Sequence, residues 1–275
     1  MMRTVTVQTE GDPLVADVVD TAAGAPWVLL IHGWGGSARY WRPTIERLGE
    51  QFRFLAPDLP GSGRSRPVRR ARAITDQARA LATLLADRGV ARAHVVGHSN
   101  GAAIAMLLAA DRPELVERLA LTSVGLFRNA AERAVFSAIM GVTGAIMRFR
   151  APWMADIPFL VQQSARRYFY QVPDDPALLR AGFLDYLTMD YDTALATARS
   201  AVSDAIPAAA CRIQAPTLIV AAREDQSMPA INVEELARAI PGSRLAWIAR
   251  CGHLPMVERP DEYAAILGTF LAERR

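Results

Sequence analysis

Hydrophobic positions along this chain follow two rhythms. Short unbroken apolar runs, the clearest being Trp27-Val28-Leu29-Leu30-Ile31, have the pattern of strands covered on both faces, as in a parallel sheet. Phe52 to Ala56, Ala93 to Val96, Leu119 to Thr122, Thr217 to Ala221 and Arg244 to Ile248 repeat it. Between most of them lie segments of helical character, about Ala38 to Leu48, Ala71 to Arg88, Asn100 to Asp111, Asn232 to Ile240 and Asp261 to Glu273. Near the start, Thr4 to Thr9 and Leu14 to Val19 flank Gly11-Asp12-Pro13 and predict two strands joined by a turn. Strands alternating with helices predict an α/β fold, a mostly parallel sheet with helices on both faces.

One region departs from the alternation. From Val124 to Ile206 no strand pattern stands out and helical patterns dominate. Val135, Ile139, Val142 and Ile146 share one helical face, and Asp174-Asp175-Pro176 suits an N-cap followed by proline in the first turn. The segment holds 11 of the chain's 20 aromatic residues and methionines 140, 147, 154 and 189, a content that predicts a small helical core. An insertion after a strand's C-terminal end sits where open α/β sheets bind ligands. The expectation is a core of residues 1–123 and 207–275, with 124–206 an inserted helical cap that is not an independent domain.

Composition narrows the partners. The chain has 275 residues, 51% hydrophobic and 21% charged, within the range of globular proteins. It has no lysine, so all 31 basic residues are arginine, and with a net charge of only +3 this reads as coding bias. Clusters such as Arg66-Pro67-Val68-Arg69-Arg70-Ala71-Arg72 come with no groove-reading motif, so no nucleic-acid partner is expected. Cys211 and Cys251 form no disulfide framework and lack metal-ligand spacing; both are expected as small buried residues. The first residues lack a signal-peptide run, and no apolar stretch of ~18 residues is evident, which points to a cytoplasmic protein without a membrane span.

The strongest chemical signal is Gly97-His98-Ser99-Asn100-Gly101 between a strand and a helix, the G-x-S-x-G context of a nucleophilic serine on a tight turn. His32-Gly33-Trp34-Gly35-Gly36 follows the first buried strand, where a sharp turn can direct a backbone N–H toward the serine. The N–H groups of Trp34 and Asn100 are the candidate oxyanion donors, while His32 is expected to brace its loop. A serine needs a base. Of four histidines, His94 and His98 read as structural, which leaves His253, in Cys251-Gly252-His253-Leu254-Pro255 after the last strand. Asp225, after the Thr217 to Ala221 strand, is the expected acid, with Glu224 its neighbour and competitor.

With these motifs in place, the chain resembles the α/β-hydrolase superfamily over nearly its whole length. The resemblance rests on HGWGG, DLPGSGRS (Asp58 to Ser65), GHSNG, the REDQSMP loop and GHLPMVERPDEY, in the family's order. It implies a sheet of about eight strands, a helical cap, and no metal or organic cofactor; Asp58 and Arg64 fall in a family turn regarded as structural. Haloalkane dehalogenases and epoxide hydrolases of this fold use Asp where Ser99 stands. Ring-cleavage carbon–carbon hydrolases commonly place Trp where Leu254 stands, and proline iminopeptidases have a different elbow. The remaining likeness is to esterases, lactonases and cofactor-free haloperoxidases. The implied function is hydrolysis of a small carboxylic ester or lactone through an acyl-enzyme, and the aromatic and methionine content of residues 124–206 adds the expectation of an apolar acyl or leaving group. Carbon–carbon bond hydrolysis of a diketone or dienone, and a ligand receptor that keeps the triad, are the alternatives.

Overall fold

A computed structural model describes residues 2–20 and 24–273 of the chain. Eight strands form one sheet: β1 (Met2–Thr9), β2 (Asp12–Val19), β3 (Trp27–Ile31), β4 (Arg53–Pro57), β5 (Ala93–His98), β6 (Val116–Thr122), β7 (Thr217–Ala222) and β8 (Arg244–Ile248). Their spatial order is β1-β2-β4-β3-β5-β6-β7-β8. The β1–β2 and β2–β4 pairs are antiparallel, and every other pair is parallel.

Side-chain alternation explains the unbroken apolar runs. Leu29 and Ile31 of β3 enter one core layer, whereas Val28 and Leu30 enter the other. In β7, Ile219 and Ala221 likewise face away from Leu218 and Val220. Both faces of the central strands are therefore covered, so neither position of the two-residue repeat needs to be polar.

The helices are α1 (Arg42–Leu48), α2 (Ile74–Asp87), α3 (Asn100–Asp111), α4 (Ala130–Met147), α5 (Pro158–Tyr168), α6 (Pro176–Thr188), α7 (Tyr191–Ser200), α8 (Ala205–Ala210), α9 (Ala230–Ala239), α10 (Pro255–Glu258) and α11 (Pro260–Ala272). α2, α3, α8 and α9 contribute to one layer, and α1, α10 and α11 to the other. The predicted helix from Ala38 divides into a 3-10 turn, Ala38–Trp41, and α1.

Strand order also locates a crevice. The connection leaving β3 crosses to β4 on one side, and that leaving β5 crosses to β6 on the other. The two chain paths diverge between adjacent strands, the arrangement that opens a ligand site beyond their C-terminal ends.

Between β6 and β7 the described residues are helical, α4 to α8. Asp175 caps α6, its side chain accepting the Leu178 N–H at 3.0 Å, with Pro176 in the first turn as expected. Two small apolar clusters hold the segment: Met147, Met189 and Ala194, and Val161, Ala165 and Leu179. The stripe on one face of α4 belongs to neither cluster. Val135, Ile139, Val142 and Ile146 are 47–62% exposed, because α4 packs on α7 through a neighbouring face where Gly144 touches Leu195. α4 also meets the length and hydropathy needed to cross a bilayer, a stretch the sequence reading passed over. Cys251 is buried as expected, but Cys211 is exposed.

Candidate functional site

β5 carries the chain up to the crevice, and Ser99 turns it sharply into α3. The serine has φ +53° and ψ −120°, a left-handed conformation that costs a non-glycine residue about 1–3 kcal/mol. Its N–H donates to the Thr122 carbonyl at the end of β6 (2.8 Å), and its own carbonyl accepts the Ala102 N–H (2.9 Å). These bonds hold the strained turn between strand and helix. A side chain at Gly101 would put its Cβ 2.3 Å from the His32 carbonyl oxygen, so only glycine lets α3 start this close to β3.

The loop after β3 closes on the same place. A Cβ at Gly33 would lie 3.1 Å from the Ser99 Cβ and 2.9 Å from His98 Nδ1. Trp34 is the next residue, and Asn100 opens α3, where the first backbone N–H groups lack an acceptor within the helix. His32 is buried and neutral. Its Nδ1 bonds to the Gly33 carbonyl (2.8 Å), and its Nε2 accepts the Leu59 N–H (2.8 Å). Burial draws its pKa down, outweighing the pull of Asp58. Asp58 is pushed up by burial, but the hydrogen bonds from the Arg64 side chain and backbone hold it net below the usual range.

His253 follows β8 in the chain, and Asp225 follows β7. Nδ1 of His253 lies 2.8 Å from Oδ2 of Asp225, with both side chains buried. Since the carboxylate can only accept, Nδ1 carries a proton in this bond, and in the neutral imidazole that tautomer leaves the lone pair on Nε2. The other Asp225 oxygen accepts the N–H groups of Ser227 (2.8 Å) and Met228 (3.0 Å), which fixes the carboxylate plane. Glu224, the competing acid, points elsewhere and accepts the Cys251 N–H (3.0 Å).

Two further groups, given no such role by the sequence, connect these parts. His98 Nε2 lies 2.8 Å from the His253 carbonyl and must donate to it. Its Nδ1 then accepts from the Tyr40 hydroxyl (3.0 Å), whose oxygen accepts the Gly33 N–H. One chain of hydrogen bonds thus ties the Gly33 loop to the His253 loop through the residue preceding Ser99. The His98 and His253 rings are 4.8 Å apart. Burial, then the His253 imidazole, keeps His98 well below pH 6.5 and neutral. The second group is Glu258. It accepts from Gly252 N–H (2.8 Å), Tyr170 N–H (3.2 Å) and Gln171 N–H (2.6 Å), joining the His253 loop to the end of α5.

Aromatic side chains of the inserted helices lie against His253 and Trp34. The His253 N–H donates to the Tyr168 carbonyl (2.7 Å), and the two rings are 6.1 Å apart. The Trp34 ring lies 5.7 Å from that of Tyr186, and Phe183 stacks on Tyr186 in turn. Trp34 Nε1 donates to the Ala194 carbonyl (3.0 Å), so this indole anchors the insertion to the sheet. Among the described residues no group of three or more His, Cys, Asp or Glu side chains gathers as a metal-binding set.

Comparison with known proteins identifies the family. A family model described as the alpha/beta hydrolase fold covers residues 26–260. A relative from Azorhizobium caulinodans, provisionally named carbamate hydrolase RutD, is 30% identical over 91% of this chain and 92% of its own. The pimeloyl-[acyl-carrier protein] methyl ester esterase of Nitrosomonas europaea is 25% identical over 90% of this chain and 96% of its own. Among solved structures, the enol-lactonase of Burkholderia xenovorans LB400 superposes with a TM-score of 0.79 at 22% identity, covering 98% of this chain and all of that one.

Proposed function

The chain belongs to the alpha/beta hydrolase fold family and is an enzyme of that fold, and from this premise we propose that it is a serine hydrolase cleaving a small carboxylic ester or lactone through an acyl-enzyme. The observation that supports this reading is a serine strained at φ +53° next in the chain to His98, whose ring lies 4.8 Å from that of His253, itself paired with Asp225.

In this mechanism His253 Nε2 takes the Ser99 proton as Oγ attacks the carbonyl carbon. Asp225 holds the tautomer and stabilises the imidazolium. The N–H groups of Trp34 and Asn100 receive the developing oxyanion, each worth about 2.7–4 kcal/mol in such sites. His253 then protonates the leaving alkoxide and activates water to release the acid. The Trp34, Tyr168, Phe183 and Tyr186 rings favour an apolar acyl or leaving group beneath a helical cap, residues 124–206. A carbamate presents the same kind of carbonyl with a heteroatom leaving group, and the name of the Azorhizobium relative makes it the second substrate class.

The test compares kcat/KM on p-nitrophenyl acetate, butyrate and octanoate, a simple lactone and an aryl carbamate, in wild type and Ser99→Ala. Turnover rising with acyl length and lost in folded Ser99→Ala supports the proposal. Retained turnover in that variant contradicts the nucleophile, and a steep preference for acetate contradicts the apolar pocket. A vinylogous diketone cleaved faster than every ester moves the activity to carbon–carbon bonds.

A further inference from the structure

The α4 face left without a partner is large and ordered along the helix. Val135, Ile139, Val142 and Ile146 recur at spacings of four, three and four residues, and Phe149, 81% exposed, extends the line. At 1.5 Å per residue the stripe is about 20 Å long. Trp153 and Phe159, 59% and 67% exposed, follow closely in sequence. No charged residue occurs from Ala134 to Met147. Contiguous apolar surface of this extent on a water-facing helix marks a contact site.

Charge selects the occupant. Of six arginines in residues 128–170, Arg128 and Arg133 pair with Glu132 and Asp204 and Arg150 donates to the Tyr186 and Met189 carbonyls, while Arg148, Arg166 and Arg167 have no carboxylate ion pair among the described residues. In a symmetric pair of copies each cationic margin would meet its twin, an arrangement that repels. An anionic lipid surface is complementary to apolar side chains bordered by arginine, with Phe and Trp suited to the headgroup boundary. A cleft of about 400 Å³ between α4 and α7, lined by Met140, Gly141, Tyr191 and Leu195 together with Arg148 and Arg199, gives a lipid chain further apolar surface beside the stripe.

We propose that α4 docks this protein onto the surface of an anionic lipid bilayer, lying in the interface with Val135, Ile139, Val142, Ile146 and Phe149 facing the acyl region. It lies on the bilayer and does not cross it. Its opposite side is committed to the fold through Met147 in the cluster with Met189 and Ala194, the Tyr191 hydroxyl on the Gly144 carbonyl (3.3 Å), and the Arg133–Asp204 pair (2.6 Å).

The test is co-sedimentation of the full chain with vesicles of phosphatidylcholine alone and of equal parts phosphatidylcholine and phosphatidylglycerol. The proposal predicts binding to the mixed vesicles, weakening in high salt, and a drop of at least about tenfold in the double variant Val142→Glu/Ile146→Glu. Both positions face water, so the thermal midpoint of the variant should stay near that of wild type. Wild type remaining in the supernatant with both vesicles overturns the proposal, as does undiminished binding by the variant. Light scattering that shows a wild-type dimer converted to monomer by the same variant also overturns it and assigns the face to a second copy. None of these readings depends on ester turnover.

Discussion

Ser99, Gly33 and His98 form a cluster in which each residue limits its neighbours. Gly33 has no side chain because Ser99 and His98 occupy the space one would need. His98 is neutral because burial disfavours its charge, and neutrality lets one nitrogen accept while the other donates. Tyr40→Phe leaves the Gly33 N–H and His98 Nδ1 without their shared partner. An unmet polar group in such a place costs about 1–3 kcal/mol. Because the link joins the Gly33 loop to the His253 loop, the expected effect is a fall of about tenfold in kcat with KM little changed. Steady-state kinetics beside a urea unfolding curve separates the two effects. An unchanged kcat in the face of lost stability would make Tyr40 a packing residue only.

Among the elements, the parallel strands were legible because burial on both faces leaves a run that is apolar at every position. The sharp turn at Ser99 was legible because its glycines answer to close backbone approach. The inserted segment was read less well. The Val135–Ile146 stripe has the periodicity of a packed helix, and periodicity alone does not say whether protein, lipid or water lies against it. Tyr40 and Glu258 were missed because their partners are remote in sequence: His98 is 58 residues from Tyr40, and the Tyr170 N–H is 88 from Glu258. Glu258 also makes its own prediction. Glu258→Ala frees three backbone N–H groups where α5 meets the His253 loop, and should lower stability by about 2–3 kcal/mol and kcat with it. Chemical denaturation and kcat measured together check this, and loss of neither would show that water replaces the carboxylate there.

At the scale of the whole molecule, buried titratable groups set the acid limit. His94 is drawn down to about 4 by burial, and His32 and His98 are lowered by the same cause. In the unfolded chain each takes a proton near pH 6.5. Between about 6.5 and 4 the unfolded state therefore binds more protons, and stability falls as pH falls through that window. Asp185, raised by burial despite the Ser37 hydroxyl at 2.6 Å, has the opposite sign, since protonation favours its folded form. The histidines outnumber it. Wild type should lose stability from pH 6.5 to 4, and His94→Phe should recover about 3 kcal/mol of that loss. Unfolding curves across this range check the prediction, and an unaltered acid limb in the variant would show that His94 is not one of its sources.

The central claim is that Ser99 forms a covalent acyl intermediate, and time-resolved intact-mass analysis during turnover of a p-nitrophenyl ester tests it most directly. A burst of p-nitrophenol, a mass increase equal to one acyl group located to Ser99, and loss of both in Ser99→Ala are the predicted results. Ester turnover by folded wild-type protein with no adduct at any time, and unchanged in Ser99→Ala, would contradict it.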